Sequence, residues 1–99
     1  MSRPKPLKAE DGLKIVSVAL ARGRVYPSNH IRQRMRERNF DINDAIQVLE
    51  NAKEARPKWN TKLATWNYDL DGKDIEGEKL TIRVAITEDI NGVILVTGF

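Results

Sequence analysis

The sequence predicts an α+β domain in which N-terminal helices pack on a three- to four-stranded antiparallel sheet. Helices are predicted first, because apolar residues recur at helical spacing between residues 13 and 52. Strands follow, because apolar residues alternate with polar ones over residues 64–70 and again over residues 80–86. Helices that precede a run of strands are typical of an α+β domain rather than of a parallel α/β sheet.

A chain of 99 residues is long enough for one domain around one hydrophobic core. We expect this domain over residues 10–99. Residues 1–9 contain three basic residues and two prolines and have little to bury, which predicts a flexible basic tail.

The composition excludes several kinds of site. The chain has no cysteine and one histidine, so it offers neither a disulfide framework nor thiolate ligands for a metal. No stretch approaches the roughly 20 apolar residues that a membrane-spanning helix requires. We therefore expect a cytoplasmic protein with no metal, no small-molecule cofactor and no membrane partner.

Three helices are expected from the apolar spacing and the capping residues. The first runs from Glu10 to about Gly23, because glycine suits the residue after a helix. The second is capped by Ser28 and ends near Asn39, a residue that tolerates the left-handed conformation. Asp41 caps the third helix. The expected buried face of the third helix consists of Ile42, Ala45, Val48, Leu49 and Ala52.

The two alternating segments predict half-buried strands with turns between them. The pair Asp71-Gly72, together with Gly77, indicates a long acidic loop, and Asn91-Gly92 indicates a tighter turn. The last strand, residues 93–97, is apolar on both faces, which favours a central position in the sheet. A short extra strand is expected around residues 58–59. The polar residues expected on the face that the helices leave open are Thr81, Arg83 and Thr97.

Charge is distributed unevenly along the chain. Residues 1–40 contain ten lysines and arginines against three acidic residues, a net +7, whereas residues 41–99 contain seven against eleven, a net −4. A basic half that folds to one face would attract phosphate groups or an acidic protein, and both attractions would weaken with salt. The alternative is a solvated helical surface whose arginines pair with the acidic half.

The second helix concentrates the chemically useful side chains. His30, Arg34 and Glu37 recur at i, i+4 and i+7, so they form a row about 10 Å long on one side of the helix. Arg38 lies between this row and the buried stripe, where a bidentate pair with a carboxylate is one expected role. We predict that the row is accessible to solvent and adjacent to Arg83.

The residues of this helix resemble a family motif. The pattern Ser-x-His-x(3)-Arg-Met-x-Glu-Arg, followed by a capped helix and a β-meander, resembles an uncharacterised bacterial family of small domains. That family is similar in fold and general arrangement to the RelE-like and BrnT-like toxins of toxin–antitoxin systems. RelE-like members cut ribosome-bound messenger RNA, and antitoxins neutralise them, so the resemblance implies RNA and an antitoxin as partners. The matching positions are Ser28, His30, Arg34, Met35, Glu37, Arg38, Asp41, Asp44, Val48, Leu49 and Thr97.

Two functions agree with these residues. The first is a non-catalytic small domain that binds RNA or an acidic protein partner through its basic helices. The second is a toxin-like ribonuclease that needs no metal and cleaves RNA through the 2′-hydroxyl, a reaction that requires a base, an acid and cations. The candidate nucleic-acid-binding residues are Arg32, Arg34, Arg36 and Arg83.

The candidate catalytic residues of the ribonuclease are His30, Arg34, Glu37 and Arg38. His30 would serve as base or acid, the two arginines would hold the phosphate, and Glu37 would serve as a base or orient an arginine. The competing interpretation gives His30 and Arg38 structural hydrogen bonds. The aromatic residues that either stack on bases or belong to the core are Trp59, Trp66 and Tyr68.

Overall fold

The computed structural model describes residues 3–99 and confirms the α+β class. Over these residues the chain forms three helices and one five-stranded sheet. The helices are α1 (Ala9–Ala21), α2 (Asn29–Arg38) and α3 (Ile42–Asn51). The strands are β1 (Val25–Pro27), β2 (Arg56–Asn60), β3 (Thr65–Lys73), β4 (Lys79–Ile86) and β5 (Val93–Gly98).

The sheet is mixed, with the strand order β1-β5-β4-β3-β2. Strands β2 to β5 are antiparallel to their neighbours, whereas β1 runs parallel to β5. The prediction of a purely antiparallel sheet of three or four strands is therefore wrong. The three residues of β1 pair only with Val93–Leu95, nearly seventy residues along the chain, and this pairing leaves no local pattern in the sequence. The extra strand expected at residues 58–59 is confirmed as β2.

Helices cover one face of the sheet and form the core with it. Buried aliphatic residues of the three helices pack against the apolar side chains of β3, β4 and β5. The helical residues of this core are Val16, Ala19, Ile31, Ala45, Val48 and Leu49, and the strand residues are Tyr68, Leu70, Leu80, Ile82, Val84, Val93 and Leu95. Strand β5 pairs on both sides, with β1 and β4, which confirms the interior position expected from its apolar sequence.

The described part of the N-terminal tail, residues 3–8, lies against the same side of the sheet. Trp66 Nε1 donates a hydrogen bond to the carbonyl oxygen of Pro4 at 2.7 Å, and the amide of Leu7 donates to the Tyr68 hydroxyl at 2.9 Å. Residues 1 and 2 of the predicted tail lie outside the described residues. Its flexibility stays a prediction.

The predicted helix caps are confirmed. The Ser28 hydroxyl accepts a hydrogen bond from the amide of Ile31 at 3.1 Å, and Asn39 ends α2 with φ +59°. At α3 the cap is a reciprocal capping box, because Asp41 and Asp44 each accept from the other's backbone amide. These caps fix where α2 and α3 begin.

The acidic loop predicted from Asp71-Gly72 to Gly77 starts later than expected, because β3 continues through Asp71 and Gly72 and pairs them with β4. Gly72 lies in close contact with α3: a Cβ at this position would lie 3.3 Å from the Val48 Cα. The glycine is therefore explained by close packing rather than by a turn. The turn lies later, where Gly77 has φ +89°.

None of the helices within residues 3–99 has the length and apolar composition needed to span a membrane.

Candidate functional site

The face of the sheet opposite the helices is open, and the strand register defines which side chains project from it. We call it the open face. Its first row consists of Tyr26, Ile94, Ala85, Asn67 and Lys58. Its second row consists of Thr97, Arg83, Asp69 and Arg56, a third contains Thr81 and Asp71, and a fourth contains Lys79 and Lys73. This arrangement confirms that Thr81, Arg83 and Thr97 share the face that the helices leave uncovered.

The centre of the open face is an ion pair between β3 and β4. Arg83 Nε lies 2.7 Å from Asp69 Oδ1, and Arg83 Nη2 lies 3.0 Å from Asp69 Oδ2. Asp69 is 1% exposed, so its charge depends on this bidentate pair for compensation. The hydrogen bonds that Arg83 donates to Asp69 raise the pKa of the Arg83 guanidinium.

A second ion pair joins β2 to β3 at the margin of the face. Arg56 donates to both carboxylate oxygens of Asp71, at 3.0 and 2.8 Å, and the Thr81 hydroxyl donates to Asp71 Oδ1 at 2.6 Å. The hydrogen bond from Arg56, followed by that from Thr81, lowers the pKa of the Asp71 carboxyl. Strands β2, β3 and β4 are thereby cross-linked through one carboxylate.

Aromatic and apolar side chains are exposed on the same face. Tyr26 and Phe99 are each 44% exposed, and Ile94 is 37% exposed. The Arg83 guanidinium carbon lies 5.3 Å from the centroid of the Phe99 ring, a cation–π arrangement that holds the ring beside the central ion pair. The open face therefore presents π surfaces next to cations.

The open face is basic although the second half of the sequence is acidic. Side chains on its rows comprise five basic residues and two acidic ones, a net +3. The basic ones are Arg56, Lys58, Lys73, Lys79 and Arg83, and the acidic ones are Asp69 and Asp71. The other nine acidic residues of this half lie in α3 and its flanks, in the segment before β2 and in the loops that follow β3 and β4.

A cleft of about 390 Å³ opens on this face beside the β2–β3 hairpin. We call it the Asn67 cleft, and its walls include Lys58, Trp59, Lys62, Asn67, Arg83 and Val96. Asn67 is 5% exposed, and its Oδ1 atom is buried without any hydrogen-bond partner in residues 3–99. The sequence predicted a half-buried strand here, and the cleft is the feature that this prediction missed.

Helix α2 lies beside the C-terminal half of β5, beyond the three residues of β5 that pair with β1. The Ser28 hydroxyl donates to the carbonyl oxygen of Val96 at 2.9 Å, and Arg34 Nε lies 3.4 Å from the carbonyl oxygen of Gly98. Since Arg83 contacts the ring of Phe99, Arg34 and Arg83 approach consecutive residues of the chain. Two of the predicted site residues are therefore brought to the same end of β5.

The row predicted on α2 faces solvent. His30 and Glu37 are exposed, and Arg34 is half-buried. Glu37 accepts from Gln33 at 3.1 Å and from Arg34 at 3.5 Å, whereas the His30 ring has no hydrogen-bond partner within residues 3–99. The structural hydrogen bond expected of His30 is thus not formed, and no carboxylate orients its ring.

The remaining arginines of α2 are exposed and unpaired. Arg38 lies at the end of the helix and makes no ion pair within residues 3–99, so the carboxylate pair expected for it is wrong. The Arg38 side chain is exposed although Met35, three residues earlier, packs against the core. Arg32 and Arg36 also lack ion pairs across the described chain. Of the basic residues before position 40, only Arg24 pairs with the acidic half, at Asp89.

The aromatic residues of β2 and β3 belong to the covered side. Tyr68 is 4% exposed, and the rings of Trp59 and Trp66 meet edge to face with centroids 5.1 Å apart. The Arg3 guanidinium carbon lies 5.1 Å from the Trp59 centroid. The N-terminal segment covers these rings, so bases cannot stack on them. The aromatic residues that are exposed on the open face are Tyr26 and Phe99. The spacing of Tyr26 and Phe99 in the sequence did not identify them as exposed residues of this face.

No group of three or more histidine and carboxylate side chains in the described part of the chain could hold a metal ion.

Residues 28–97 match the model of a family described as a domain of unknown function (DUF4258). Neither the curated proteins nor the solved structures contain a match to the chain. The matched range includes α2, α3, the strands β2 to β4 and most of β5.

Proposed function

Since the chain belongs to the DUF4258 family of domains of unknown function, we propose from its own surface that it binds single-stranded RNA without cleaving it. The RNA lies across the open face of the sheet. Phosphate groups contact the basic residues of this face and of α2, and bases stack on the exposed aromatic rings.

The observation that carries the proposal is the coincidence of exposed rings and excess positive charge on one uncovered sheet face. Tyr26 and Phe99 offer π surfaces to unstacked bases, and stacking of this kind tolerates any base. The net +3 of the surrounding rows attracts the phosphate backbone. A sheet face that served only as a solvated surface has no need of both features.

Helix α2 supports the same placement. It lies beside the C-terminal half of β5, where Ser28 and Arg34 donate hydrogen bonds to backbone carbonyl groups of β5. Arg32 and Arg36 are exposed and free of ion pairs in the described chain, so their charges are available to phosphates. An RNA strand that leaves the open face beside the C-terminal half of β5 would contact Arg32 and Arg36.

Binding is favoured over cleavage by the state of the candidate catalytic residues. A general base requires an orienting partner or a perturbed environment, and the exposed His30 ring has no partner among residues 3–99. Glu37 is engaged by Gln33 and Arg34 of its own helix. These contacts agree with a basic helix that binds RNA rather than with an assembled acid–base pair.

The test measures fluorescence anisotropy of a labelled single-stranded RNA of mixed sequence. We expect Tyr26→Ala and Phe99→Ala each to weaken binding by about 5- to 150-fold, because stacking on one aromatic ring contributes about 1–3 kcal/mol. The matched control is Ile75→Ala, which removes a side chain that is 60% exposed in the loop after β3. Equal affinities for all four proteins, or no binding at low salt, would overturn the proposal.

The same assay at several salt concentrations tests the basic helix. The double variant Arg32→Gln/Arg36→Gln should weaken binding and reduce the magnitude of the slope of log affinity against log salt by about 1.4, since each contact with a single strand contributes about 0.7. Lys14→Gln on α1 serves as a control for a change of net charge. A denaturing gel should show intact RNA, whereas cleavage that His30→Ala abolishes would support the ribonuclease instead.

A further inference from the structure

Strand β3 extends beyond its neighbour β2, so part of its edge is uncovered. Strand β2 pairs with β3 from Thr65 to Asp69, whereas β3 continues to Lys73 and is paired there with β4 alone. We call residues 70–73 on this side the β3 edge. At roughly 3.3 Å per residue the β3 edge is about 13 Å long, which is room for a short extended segment.

The hydrogen bonds of β4 determine which backbone groups of the β3 edge are free. Thr81 exchanges both of its backbone hydrogen bonds with Phe99, on the β5 side of β4. Successive residues of an antiparallel strand bond alternately to their two neighbours, so Gly72 bonds to β4. Asp71 and Lys73 therefore direct their N–H and C=O groups away from β4, toward the uncovered side.

Most of these outward groups have no partner. The Lys73 carbonyl oxygen accepts a hydrogen bond from Gln47 Nε2 of α3 at 3.3 Å, which agrees with its outward direction. The Lys73 amide and both backbone groups of Asp71 form no hydrogen bond to another element of residues 3–99. Since both residues are exposed, an extended chain that aligned with β3 could bond to these groups.

The two outer strands of the sheet are protected against such pairing, whereas the β3 edge is not. Pro27 of β1 and Pro57 of β2 lack an N–H group, and each occupies a position whose backbone groups face away from the paired strand. Proline on an edge strand hinders the addition of a further strand. The β3 edge contains no proline, and its register with β4 is regular.

A groove of about 540 Å³ lies between α3 and the β3 edge. Its lining includes Gln47 and Asn51 of α3, Lys53 and Glu54 of the segment before β2, and residues 71–73. Gly72 faces α3, so the residue of an added strand opposite Gly72 would direct its side chain to the same side and into the groove. The lining side chains have aliphatic stems, which suit an apolar side chain.

The row of the open face at the end of the β3 edge contains like charges side by side. Lys73 lies directly opposite Lys79 of β4, both side chains are exposed, and neither makes an ion pair within residues 3–99. The carboxylate of the preceding row, Asp71, is engaged by Arg56. Like charges in this arrangement are destabilising, so an acidic side chain added to the row would be stabilising.

We infer that the β3 edge binds an extended, acidic peptide segment of a protein partner, which joins the sheet as an additional antiparallel strand. The partner residue opposite Lys73 is acidic, the next residue directs an apolar side chain into the groove beside α3, and the third exchanges both backbone hydrogen bonds with Asp71. Main-chain bonds supply affinity in this mode of recognition, and alternate side chains supply specificity. The inference is independent of RNA binding, since it uses backbone groups of β3 rather than exposed rings.

The test titrates the full chain with the blocked peptide Val-Glu-Val-Thr-Val and follows ¹H–¹⁵N spectra. We expect the amide signals of Asp71 and Lys73 to shift, because both amides gain a hydrogen bond. The matched peptide with lysine in place of glutamate should bind about fivefold more weakly, since it adds a like charge beside Lys73 and Lys79. Equal affinity for the two peptides, or no shift of these amides, would overturn the inference.

Methylation of single peptide amides tests the backbone pairing in the wild-type protein. The threonine amide of the peptide faces Asp71, so an N-methyl group there should weaken binding by at least about tenfold. The amide of the central valine faces away from β3, and its methylation should leave the affinity unchanged. Equal affinity of the two methylated peptides would overturn the added strand and indicate attraction by charge alone.

Substitutions at one position separate the edge from its charge. Lys73→Pro removes the outward amide and leaves the hydrogen bonds to β4 in place, so it should abolish peptide binding. Lys73→Gln keeps the amide and should reduce the preference for glutamate without abolishing binding. Unchanged binding by a folded Lys73→Pro variant would place the peptide elsewhere and overturn the inference. The methylated peptides decide the question without any change to the protein.

Discussion

Two polar residues of β3 show how the open face differs from an ordinary solvated sheet. Asp69 and Asn67 are both more than nine-tenths buried although no helix of the described chain lies above them. They are shielded by neighbouring long side chains, such as Arg56 and Arg83 beside Asp69. Asp69 is compensated by a bidentate arginine, whereas Asn67 Oδ1 is not compensated by any described residue.

Gly98 is a residue at which the packing can be tested directly. A Cβ at this position would lie 2.5 Å from the Phe40 Cζ and 3.2 Å from the Ile82 Cδ1. Phe40 is buried, so its ring has little room to move. We expect Gly98→Ala to lower the free energy of unfolding by about 1–3 kcal/mol, measured by urea denaturation, because overpacking a core forces strain.

The control is a double-mutant cycle with Phe40→Leu, which removes the outer part of the ring that the new methyl group would strike. In the Phe40→Leu background the Gly98→Ala change should cost clearly less than in the wild type. Equal costs in both backgrounds would show that contact with the ring is not the cause.

At the scale of elements, the capping box of α3 also ties the helix to the loop after β3. Asp44 accepts hydrogen bonds from the amides of Ile75 and Asp41, each at 2.9 Å. These hydrogen bonds, that from Ile75 first, lower the pKa of the Asp44 carboxyl below its usual 3.8. The folded state therefore favours the ionised carboxyl, and one side chain stabilises both a helix and a loop.

The lowered pKa predicts an acid-sensitive part of the stability. The contribution of Asp44 is present in full above pH 3.8 and is lost as the pH falls through the lower value of the folded state. We expect Asp44→Ala to lower the free energy of unfolding by about 0.5–2 kcal/mol at neutral pH. The difference from the wild type should shrink in denaturation experiments below pH 3.8. Glu50→Gln, on the exposed side of α3, is the matched control for the removal of one carboxylate from this helix.

The elements that local patterns define were predictable from the sequence, and those that depend on distant pairing were not. Helices α2 and α3 followed from their caps and apolar stripes, β4 from its alternation, and β5 from its apolar run after the turn at Asn91-Gly92. Strand β1 was missed because its stability comes from Val93–Leu95, far along the chain. The length of β3 was missed because Gly72 resembles a turn residue but is required by contact with Val48.

The same distinction applies to the site. The spacing on α2 predicted which side chains face solvent, since helical geometry fixes the direction of each one. The spacing did not predict that Arg38 makes no ion pair within residues 3–99, because spacing does not determine how the end of a helix packs. The open face at Arg83 and Thr97 was expected from strand alternation, but the Asn67 cleft depends on the lateral pairing of β2, β3 and β4.

At the scale of the whole molecule, folding rearranges the charge that the sequence distributes between its halves. The second half has a net charge of −4, yet the rows of the open face, most of which come from that half, have a net +3. Acidic residues are placed in loops and helix ends, where they cap backbone amides or bind arginines. The open face is therefore a second basic surface besides that of α2. The charge difference between the two halves of the sequence underestimates the basic area of the molecule.

The N-terminal segment, residues 3–8, completes the covered side of the molecule, and its removal tests how much it contributes. Its carbonyl and amide groups bond to Trp66 and Tyr68, and Arg3 lies over the Trp59 ring. Deletion of residues 2–7 removes these contacts. We expect a loss of about 1–2 kcal/mol in the free energy of unfolding and a red shift of the tryptophan emission, because both rings gain contact with water. Trp66→Phe should reproduce only the part due to the hydrogen bond to Pro4. A truncated protein with unchanged stability and emission would show that the segment contributes nothing to the fold and would support a flexible tail.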